Sequence, residues 1–511
     1  MSKKTFYITT PIYYASGNLH IGHLLTTTLA WTIANYKKMQ GYDVKVLTGS
    51  DEHGQKIAEK AAENNQTPQE FVDQIAQSFQ KMWKDFDIEI DFIRTTDKKH
   101  TQAVQKIFEY FKEKGYIYLD KYEGLYSVSD EEFLTPTQAI KKEDGEYYHP
   151  YSGNKLQRVS EESYFFKMDL FTDWIKEYSK ANPGFWAPEK TVNEINNSFL
   201  TNLKNLSVSR TNITWGIPVE SDSKHTIYVW LDALCNYITH LGYDLENPDD
   251  HFIKYWQNGN EIVHLLAKEI ARFHFIYWPI FLKALDVKMP TKIQSHGWIV
   301  TPEGKMSKSK GNIVNPYDLL EKYHSEMIKY FFATRVKLGE DLVFDEKIFV
   351  DAINSELINN YGNLVSRTLK MISNSFDQPL NYKESQNELD TQIDELIYKS
   401  EQEYTKCFDA YDLEGAKNVI VSLGNELNKY IDETKPWTLK EDLERLEQIL
   451  VRLLNGIYAL STYLKPFLPR KMEEVSQALG NIDFNMKHIK DNLKFGKIIT
   501  AKQFMFFERL K

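Results

Sequence analysis

Two histidines near the N-terminus have a spacing that suits phosphate binding. The segment His20-Ile21-Gly22-His23 lies between an aromatic, β-branched stretch at 6–10 and a proline-free stretch of good helix formers. It therefore falls where a predicted strand leads into a predicted helix. The first turn of a helix attracts phosphate, and histidines three residues apart lie on one face of it. Taken alone, the four residues fit a metal-binding pair or two unrelated surface histidines equally well.

A second polar segment, Lys305-Met306-Ser307-Lys308-Ser309, has the composition of a polyphosphate-binding loop. Pro302, Gly304 and Gly311 flank it, which predicts a loop that can move. Its lysines can neutralise negative charge that develops on a leaving pyrophosphate. Taken alone, the segment is better interpreted as an exposed basic loop. The two segments together are far more specific evidence for phosphate binding than either is alone. Their order, their separation and the strand–helix context of the first segment are mutually consistent.

The order of the predicted elements around the first segment is that of a parallel α/β sheet. Residues 6–10 predict a strand, residues 21–38 a helix that ends before Gly41, and residues 44–48 a second strand. Strand, helix and strand in close succession form a βαβ unit and hence a parallel sheet. Thr67 and Pro68 predict the start of a further helix.

The rest of the chain changes character twice. Residues 116–225 are rich in Pro and Tyr, which predicts an inserted subdomain. The α/β pattern returns at 226–230 and 261–266. After residue 321 long amphipathic helical patterns dominate, as at Leu453, Ile457, Leu460 and Leu464.

Composition excludes several classes of protein. The 511 residues are 42% hydrophobic and 26% charged, which is a globular profile with material for more than one domain. Two cysteines cannot form a disulfide framework or a cysteine-rich zinc site. We expect no signal peptide and no membrane-spanning helix. The net charge of -10 argues against a wholly basic nucleic-acid coat protein but allows a local basic patch.

The chain resembles the class I aminoacyl-tRNA synthetases, whose two signature sequences are the histidine and lysine segments described above. Within that class it resembles the methionyl-tRNA synthetases, on the stretches 9–14, 48–54, 228–234 and 272–279. The resemblance implies a doubly wound, Rossmann-like α/β catalytic domain with an inserted connective subdomain, followed by an all-α anticodon-binding domain. The implied boundaries are 1–116 and 226–321 for the catalytic halves, 117–225 for the connective subdomain, 322–360 for a linking stem-contact segment and 361–511 for the helical domain.

The resemblance also implies a reaction in two steps. The carboxylate of methionine attacks the α-phosphate of ATP, giving methionyl-adenylate and pyrophosphate. The 3′ end of the methionine tRNA, initiator or elongator, then takes the methionyl group. Mg²⁺ is expected to accompany ATP. We expect a cytoplasmic enzyme, a monomer, with no DNA or membrane partner.

The site residues implied by the resemblance fall into three groups. The catalytic and ATP-binding group is His20, Gly22, His23, Lys268, Glu269, His296, Gly297, Lys305, Ser307 and Lys308, of which His20, His23, Lys305 and Lys308 act on the triphosphate. The methionine-binding group is Ile12, Tyr14, Asp51, Trp230, Ala233, Tyr237, Phe273, His274 and Trp278. The anticodon-binding group is Asn363, Arg367 and Trp437.

Within the methionine group, Asp51 is expected to hold the ammonium group, and the aromatic residues to surround the thioether. His274 is expected either to bond Tyr14 or to contact the sulfur. Without the resemblance, the aromatic set fits ordinary core. The anticodon group likewise fits a helix surface pair with a packed tryptophan, although exposed aromatics, amides and guanidinium groups suit single-stranded RNA.

The chain departs from the family pattern at two places. Many relatives carry a zinc knuckle where this chain has Ser127 and Asp130 and, later, only His149. One aspartate and one histidine do not supply the four ligands of a structural zinc site, so we predict no structural zinc. Ala267 and Glu269 stand where the family usually has Gly and Asp. We expect φ at position 267 to be negative, so that alanine is tolerated.

Three other functions compete with this interpretation. The nearest is a class I synthetase for another amino acid; one for isoleucine, leucine or valine would need a longer chain, and one for cysteine would normally need zinc ligands. A small-substrate nucleotidyltransferase can share the first histidine segment but has no need of Asn363, Arg367 and Trp437. A non-catalytic RNA-binding or assembly protein would not be expected to keep both phosphate segments intact. Amino-acid-dependent turnover of ATP distinguishes these functions.

Overall fold

The computed structural model describes residues 3–128, 130, 132–134, 136, 138–306, 313–337, 339–486, 489 and 504–511. The chain forms two compact units. One contains Met1–Ala30 and Asp43–His296, and the other contains Trp31–Tyr42 and Gly297–Lys511. None of the described helices is long and apolar enough to cross a membrane.

The first unit is built on a parallel sheet of six strands. These strands are β1 (Thr5–Tyr14), β2 (Asp43–Asp51), β3 (Asp91–Arg94), β9 (Trp186–Ala187), β13 (Glu261–Ala267) and β14 (Lys292–His296). Their order in space is β3-β2-β1-β13-β14-β9, and every neighbouring pair is parallel. The chain passes from β1 to β2 on one side, and β13 returns on the other side of β1. This reversal of strand order confirms the predicted doubly wound sheet.

Helices connect and cover these strands. They are α1 (Ile21–Met39), α2 (Gln55–Glu63), α3 (Pro68–Asp85), α4 (Lys98–Glu113), α7 (Val229–Thr239), the short α8 (Asp250–Phe252) and α9 (Trp278–Ala284). Residues 31–39 of α1 belong to the second unit. The predicted helix start at Thr67 is confirmed, because Thr67 and Glu70 form a reciprocal capping box. The sheet, α4, α7 and α9 enclose one large apolar core that includes Tyr7, Leu231 and Trp278.

An insertion follows α4, as predicted. Its main sheet is formed by β4 (Ile117–Ser127), β5 (Glu132–Leu134), β8 (Gln157–Phe166) and β10 (Leu206–Ser207), in the order β10-β8-β4-β5. All its pairings are antiparallel. The insertion also contains β6 (Ile140–Lys141), β7 (Tyr147–Tyr148), β11 (Ser209–Arg210), α5 (Thr172–Ala181) and α6 (Glu189–Ser198). Strand β11 pairs with β12 (Thr226–Ile227).

The second unit is mainly helical. Its helices are α10 (Pro316–Leu320), α11 (Ser325–Arg335), α12 (Glu346–Ala352), α13 (Asn363–Ser375), α14 (Glu388–Asp409), α15 (Leu413–Thr434), α16 (Leu443–Leu464) and α17 (Pro469–Ala478). A small sheet joins β15 (Ile299–Thr301), β16 (Gly304–Lys305) and β17 (Leu342–Val343). The predicted apolar stripe at Leu453, Ile457, Leu460 and Leu464 lies in α16, and all four side chains are fully buried.

Candidate active site

Several of the predicted site residues of the first unit lie at or just beyond the carboxyl ends of neighbouring parallel strands. β1 ends at Tyr14, β2 at Asp51 and β13 at Ala267. In an open α/β sheet, the crevice beyond the strand ends lies where the strand order reverses, and ligands bind there. Here that point lies between β1 and β13. A register shift in β1 between Thr9 and Ile12 marks a bulge, a feature that often redirects side chains beside an active site.

The two histidines of the first segment are locked by backbone hydrogen bonds. The N–H of His20 donates to Nδ1 of His23 at 3.0 Å, and the N–H of Gly22 donates to Nδ1 of His20 at 3.0 Å. Each Nδ1 therefore accepts, which places the ring proton on Nε2. Burial and the neighbouring His20 lower the pKa of His23 well below its ordinary value, so His23 is neutral. The first turn of α1 thus presents two neutral imidazoles whose Nε2 atoms are donors.

Further contacts hold this turn in place. The rings of His20 and His23 lie 4.0 Å apart between centroids. The hydroxyl of Tyr13 donates to the carbonyl oxygen of His23 at 3.2 Å. His296, at the end of β14, lies with its Nε2 2.9 Å from Oγ1 of Thr26 on the next turn of α1. The structure therefore brings His20, Gly22, His23 and His296 to one end of α1.

Most of the predicted methionine-binding aromatics form one cluster. Trp230 and Phe273 stack with ring centroids 3.6 Å apart and planes 4° from parallel. Residues Phe273–Tyr277 form a π-helical turn that leads into α9. Tyr237 links this π-helical turn to Trp278, because its ring centroid lies 5.7 Å from that of His274 and 5.8 Å from that of Trp278. Such turns are rare and are frequent at functional sites.

His274 is the polar centre of this cluster, and its partner is Tyr237 rather than Tyr14. Its Nδ1 lies 3.0 Å from the carbonyl oxygen of Ile270, which only accepts, so Nδ1 carries the proton. Its Nε2 therefore accepts from the hydroxyl of Tyr237, 2.6 Å away. Burial lowers the pKa of His274 to about 4 and raises that of Tyr237. The pair is uncharged at neutral pH, which suits an uncharged thioether ligand.

His264 is a member of this cluster that the sequence interpretation missed. It is 1% exposed within β13. Its Nε2 accepts from Nε1 of Trp278 at 3.0 Å, and its Nδ1 lies 2.7 Å from Oγ1 of Thr9. His264 thereby fixes the indole of Trp278 against β1. A single histidine within the apolar run from Ile262 to Ala267 was the available signal, because buried polar side chains need partners.

Asp51 lies at the end of β2, beside the end of β1. Its position pairs with Tyr14, and its carbonyl oxygen accepts from the N–H of Ala15 at 2.8 Å. Two residues earlier, a Cβ on Gly49 would lie 2.2 Å from the carbonyl oxygen of Ile93, so only glycine fits there. This close packing of β1, β2 and β3 holds Asp51 next to Ile12 and Tyr14 on the neighbouring strand.

The residue after Asp51 is tied down by its own buried contacts. Glu52 is fully buried and accepts from Nε and Nη2 of Arg94 at 2.7 and 3.0 Å. Its N–H donates to Oγ1 of Thr95 at 2.9 Å. A two-point guanidinium–carboxylate contact fixes direction as well as distance, so the strand end that carries Asp51 is rigid.

The departure at Ala267 is accommodated by an ordinary backbone. Ala267 has φ −82° and ψ 151°, as the sequence analysis expected. Lys268 and Glu269 follow it in a short 3-10 turn at the end of β13, and Glu269 is exposed.

We predict that the double variant Ala267→Gly, Glu269→Asp keeps its activity. The backbone at position 267 is not left-handed, so glycine is not required there. The change at position 269 only shortens the exposed side chain of Glu269 by one methylene. Pyrophosphate exchange should stay within about threefold of the unchanged protein. A loss of several orders of magnitude would show instead that the surrounding site is built around these two side chains.

The lysine segment lies for the most part outside the described residues. Ser307 and Lys308 belong to the undescribed stretch 307–312, and of Lys305 only the backbone is described, in β16. Gly297 is described and belongs to the second unit. A Cβ there would lie 2.0 Å from the carbonyl oxygen of Glu340, so its packing alone demands glycine. The assignment of these residues to ATP therefore stays a prediction.

The place of the zinc knuckle holds a hydrogen-bonded carboxylate. Oδ2 of Asp130 accepts from the hydroxyl groups of Ser127 at 2.5 Å and Ser152 at 2.7 Å, and from Nδ2 of Asn154 at 3.1 Å. Burial alone would raise the pKa of Asp130, but these bonds lower it below its ordinary value. Nδ1 of His149 accepts backbone N–H groups, and its Nε2 lies 3.1 Å from Oε2 of Glu132.

These residues do not fit a zinc ion, because the carboxylate and the imidazole are already engaged with other partners. Within the described part of the chain, no group of three or more His, Cys, Asp or Glu side chains could hold a metal ion. Asp130 instead joins Ser127 to Ser152 and Asn154 through hydrogen bonds within the insertion.

We predict that stability depends on Asp130 and not on bound zinc. Asp130→Ala should lower the free energy of unfolding of the insertion by about 2 kcal/mol, since three hydrogen bonds to a charged acceptor are lost. Dialysis of the unchanged protein against a chelator should leave its melting temperature unchanged. Tightly bound zinc in a one-to-one ratio to the chain would contradict this account.

In the second unit, the structure brings the predicted anticodon residues Arg367 and Trp437 together. The guanidinium carbon of Arg367 lies 5.9 Å from the ring centroid of Trp437, and Nη2 lies 3.2 Å from Oδ1 of Asp432. Trp437 is 48% exposed. Lys435, with φ 45°, ends α15 in the left-handed conformation, which turns the chain so that Pro436 is buried and Trp437 is not.

Asn363 begins α13 and is exposed, four residues before Arg367. Residues at this spacing lie on the same helix face. An amide, a guanidinium group and an exposed indole thus occur on neighbouring elements of the helical unit. An exposed tryptophan beside an arginine is suited to stacking on unpaired bases.

Comparisons with known sequences agree along nearly the whole chain. A family described as "tRNA synthetases class I (M)" matches residues 6–369, and one described as "Anticodon binding domain of methionyl tRNA ligase" matches 381–509. A methionine–tRNA ligase of Mycoplasmopsis pulmonis (strain UAB CTIP) is 50% identical over 511 residues, 100% of each chain. That of Bacillus subtilis (strain 168) is 43% identical over 510 residues, 98% of this chain and 76% of its own.

Comparisons with solved structures agree as well. Mycobacterium tuberculosis methionyl-tRNA synthetase in complex with methionyl-adenylate matches with a TM-score of 0.93 and 31% identity, over 99% of this chain and 100% of its own. The apo form of that protein matches with a TM-score of 0.86 and 29% identity, over 100% and 99%. The chain belongs to the methionyl-tRNA synthetases of class I.

Proposed function

We propose that this chain performs methionine activation at the carboxyl edge of the parallel sheet and reads the anticodon with the exposed face around Trp437. As a methionine–tRNA ligase, it transfers the adenylyl group of ATP to methionine with release of pyrophosphate, and then transfers the methionyl group to tRNA with release of AMP. No covalent enzyme intermediate is needed for either step. Catalysis then depends on positioning the reactants and on stabilising charge.

The observation that best supports this proposal is the pair of imidazoles on the first turn of α1. The Nε2 donors of His20 and His23, added to the N–H groups and dipole of a helix start, form an anion-binding group. Negative charge grows on the α-phosphate and its leaving oxygen as the methionine carboxylate attacks. Neutral donors fixed in advance stabilise that charge without having to reorganise.

Amino-acid selection is assigned to the aromatic cluster and Asp51. Trp230, Phe273 and Trp278 offer ring faces and edges to a polarisable sulfur. The neutral Tyr237–His274 pair adds no charge that would favour a polar side chain. Asp51 holds the ammonium group by a charge-assisted hydrogen bond, while Ile12, Tyr14 and Ala233 complete the walls.

The remaining assignments rest on the signature segments and on composition. Lys305 and Lys308 are assigned to the pyrophosphate leaving group, with Ser307, Gly297, Lys268 and Glu269 among the ATP contacts. Mg²⁺ enters with ATP as part of the substrate. We expect a monomer that works in the cytoplasm on initiator and elongator methionine tRNA and does not bind DNA.

Charging assays on methionine tRNA test the whole proposal. The protein should attach methionine to unmodified methionine tRNA transcripts, and a transcript whose anticodon is replaced should lose most of its charging. Equal charging of both transcripts would remove the role assigned to the Trp437 face. Methionine activation without any charging would restrict the proposal to its first step.

We predict that Trp437→Ala weakens tRNA charging but leaves methionine activation unchanged. Losing one stacked base should cost about 2 kcal/mol, or roughly thirtyfold in kcat/KM for tRNA. Arg367→Ala should act in the same direction. Lys399→Ala, which removes an exposed cation from α14, is the matched control for charge and should stay within about twofold. Loss of pyrophosphate exchange in Trp437→Ala would contradict the assignment.

A further inference from the structure

A buried carboxylate connects two segments that carry predicted methionine contacts. Asp232 lies in α7 and is 1% exposed. Its Oδ2 is 2.7 Å from Nδ1 of His53, and its Oδ1 is 2.7 Å from Nε2 of His100. His53 lies in the loop after β2 and His100 lies in α4, so one carboxylate in α7 bridges this loop and α4.

The cluster has a defined pattern of hydrogen bonds. Burial alone would raise the pKa of Asp232, but the two histidines lower it below its ordinary value, so Asp232 is a carboxylate. A carboxylate only accepts, so both imidazoles present an N–H to it. Nδ1 of His100 is satisfied by Oγ1 of Thr239 at 2.7 Å. The ring of His53 also packs 5.5 Å from Trp215, between centroids.

The position of this cluster in the chain is informative. His53 comes two residues after Asp51, the predicted ammonium ligand. Asp232 comes two residues after Trp230 and directly before Ala233. Between Asp51 and His53, Glu52 is held by Arg94 and Thr95. The His53–Asp232 contact is therefore a short, buried link between the ammonium side and the thioether side of the predicted pocket.

We propose that His53 and Asp232 are positioning residues that set the distance between Asp51 and α7, and so the length of amino-acid side chain that the pocket accepts. This inference rests on the proposed methionine site. Neither residue has to touch the substrate, since each acts through a neighbour. A shift of about 1 Å in such a separation is enough to change reaction rates by about a hundredfold.

His100 supplies a matched control within the same cluster. Both histidines are buried, His100 at 2% exposure and His53 at 7%. His100 contacts Oδ1 of Asp232, whereas His53 contacts Oδ2. However, His100 links α7 to α4, which carries no predicted substrate contact. A role in selectivity should therefore appear on replacing His53 and not on replacing His100, although both replacements leave Asp232 with one partner fewer.

The test is a kinetic comparison of His53→Ala, His53→Asn, His100→Ala and His100→Gln. Asparagine places an amide N–H near the position of Nδ1, and glutamine places one near that of Nε2, so each retains the donor its site uses. Pyrophosphate exchange gives KM for methionine, KM for ATP, and the ratio of kcat/KM for methionine to that for ethionine, which is one methylene longer. Melting temperatures report on the fold.

We expect His53→Ala to raise KM for methionine by about tenfold or more and to lower the preference for methionine over ethionine. KM for ATP should change by less than about twofold, and His53→Asn should recover most of the loss. His100→Ala should lower the melting temperature to a similar extent but leave KM for methionine within about twofold.

Equal changes in KM for methionine in the two alanine variants, or a parallel rise in KM for ATP, would overturn the inference. If His53→Ala does not fold, His53→Gln serves instead, because it keeps a donor but lengthens the link and should also raise KM for methionine. Failure of the unchanged protein to exchange with methionine would contradict the proposed function itself, which keeps the two results distinct.

Discussion

Replacing His23 by asparagine is expected to lower the rate of methionine-dependent pyrophosphate exchange by about a hundredfold or more. The side-chain oxygen of asparagine can still accept the N–H of His20, as Nδ1 does at 3.0 Å in the native turn. What asparagine cannot supply is the donor at the position of Nε2. The decrease in exchange rate therefore measures the contribution of the Nε2 donor of His23, which is proposed to act on the triphosphate.

This change should appear in kcat with little effect on the fold. Removing a single donor from a site of developing negative charge costs about 3–4 kcal/mol in the transition state. The melting temperature should stay close to that of the unchanged protein, because the helix start keeps its backbone hydrogen bonds. His23→Gln is the companion variant, since its amide nitrogen lies nearer the position of Nε2, and we expect it to recover part of the rate. Full activity in His23→Asn would show that the imidazole is only a cap for the helix.

The second large effect is expected at Asp51. Asp51→Asn should raise KM for methionine by about a hundredfold, which corresponds to about 3 kcal/mol. The amide has nearly the same shape but lacks the charge that an ammonium group requires as a partner. KM for ATP should change far less, because the effect concerns the amino acid.

The same strand offers a matched control for this prediction. β2 begins at Asp43 and ends at Asp51, so it carries one aspartate at each edge of the sheet. Asp43 bonds Lys254 and Tyr255 at 2.5 and 2.8 Å, at the amino edge of the strand. Asp43→Asn should leave KM for methionine within about twofold. Similar effects from the two variants would remove the special role assigned to Asp51.

The sequence predicted those parts of the fold that depend on local patterns. Strands β1, β2 and β13 and helices α1, α3 and α16 follow from propensity, capping and periodicity, and all are confirmed. Sequence patterns predict the ends of these elements less accurately. For example, β1 runs from Thr5 to Tyr14 rather than over residues 6–10. Pro11 lacks an N–H and ends the local strand pattern, but the bulge in β1 accommodates it within the sheet.

Long-range polar contacts were beyond the reach of local patterns. The partner of His274 is Tyr237, and no spacing rule distinguishes it from Tyr14. His264 and Asp232 function through contacts with Thr9, Trp278, His53 and His100, which are distant in sequence. The only sequence signal was a polar residue within an apolar run, which marks a buried group in need of partners but does not identify them.

Ala267 and Glu269, which lie at the end of β13 and in the turn that follows it, show the opposite case. The sequence predicts a negative φ at Ala267, and φ is −82° in the structure. A local conformational rule was sufficient there, since the choice between alanine and glycine depends chiefly on that angle. The ATP contacts assigned to Lys268 and Glu269 do not follow from local backbone conformation, and they stay predictions.

The most direct test of the central claim is pyrophosphate exchange with ATP and Mg²⁺, measured for each of the standard amino acids without tRNA. We predict exchange with methionine and none with the others above background, because the aromatic cluster and Asp51 together suit an uncharged thioether amino acid. Exchange with a different amino acid would keep the fold and overturn the pocket assignment. No exchange with any amino acid, from folded protein, would contradict the proposed activation of methionine at this edge of the sheet.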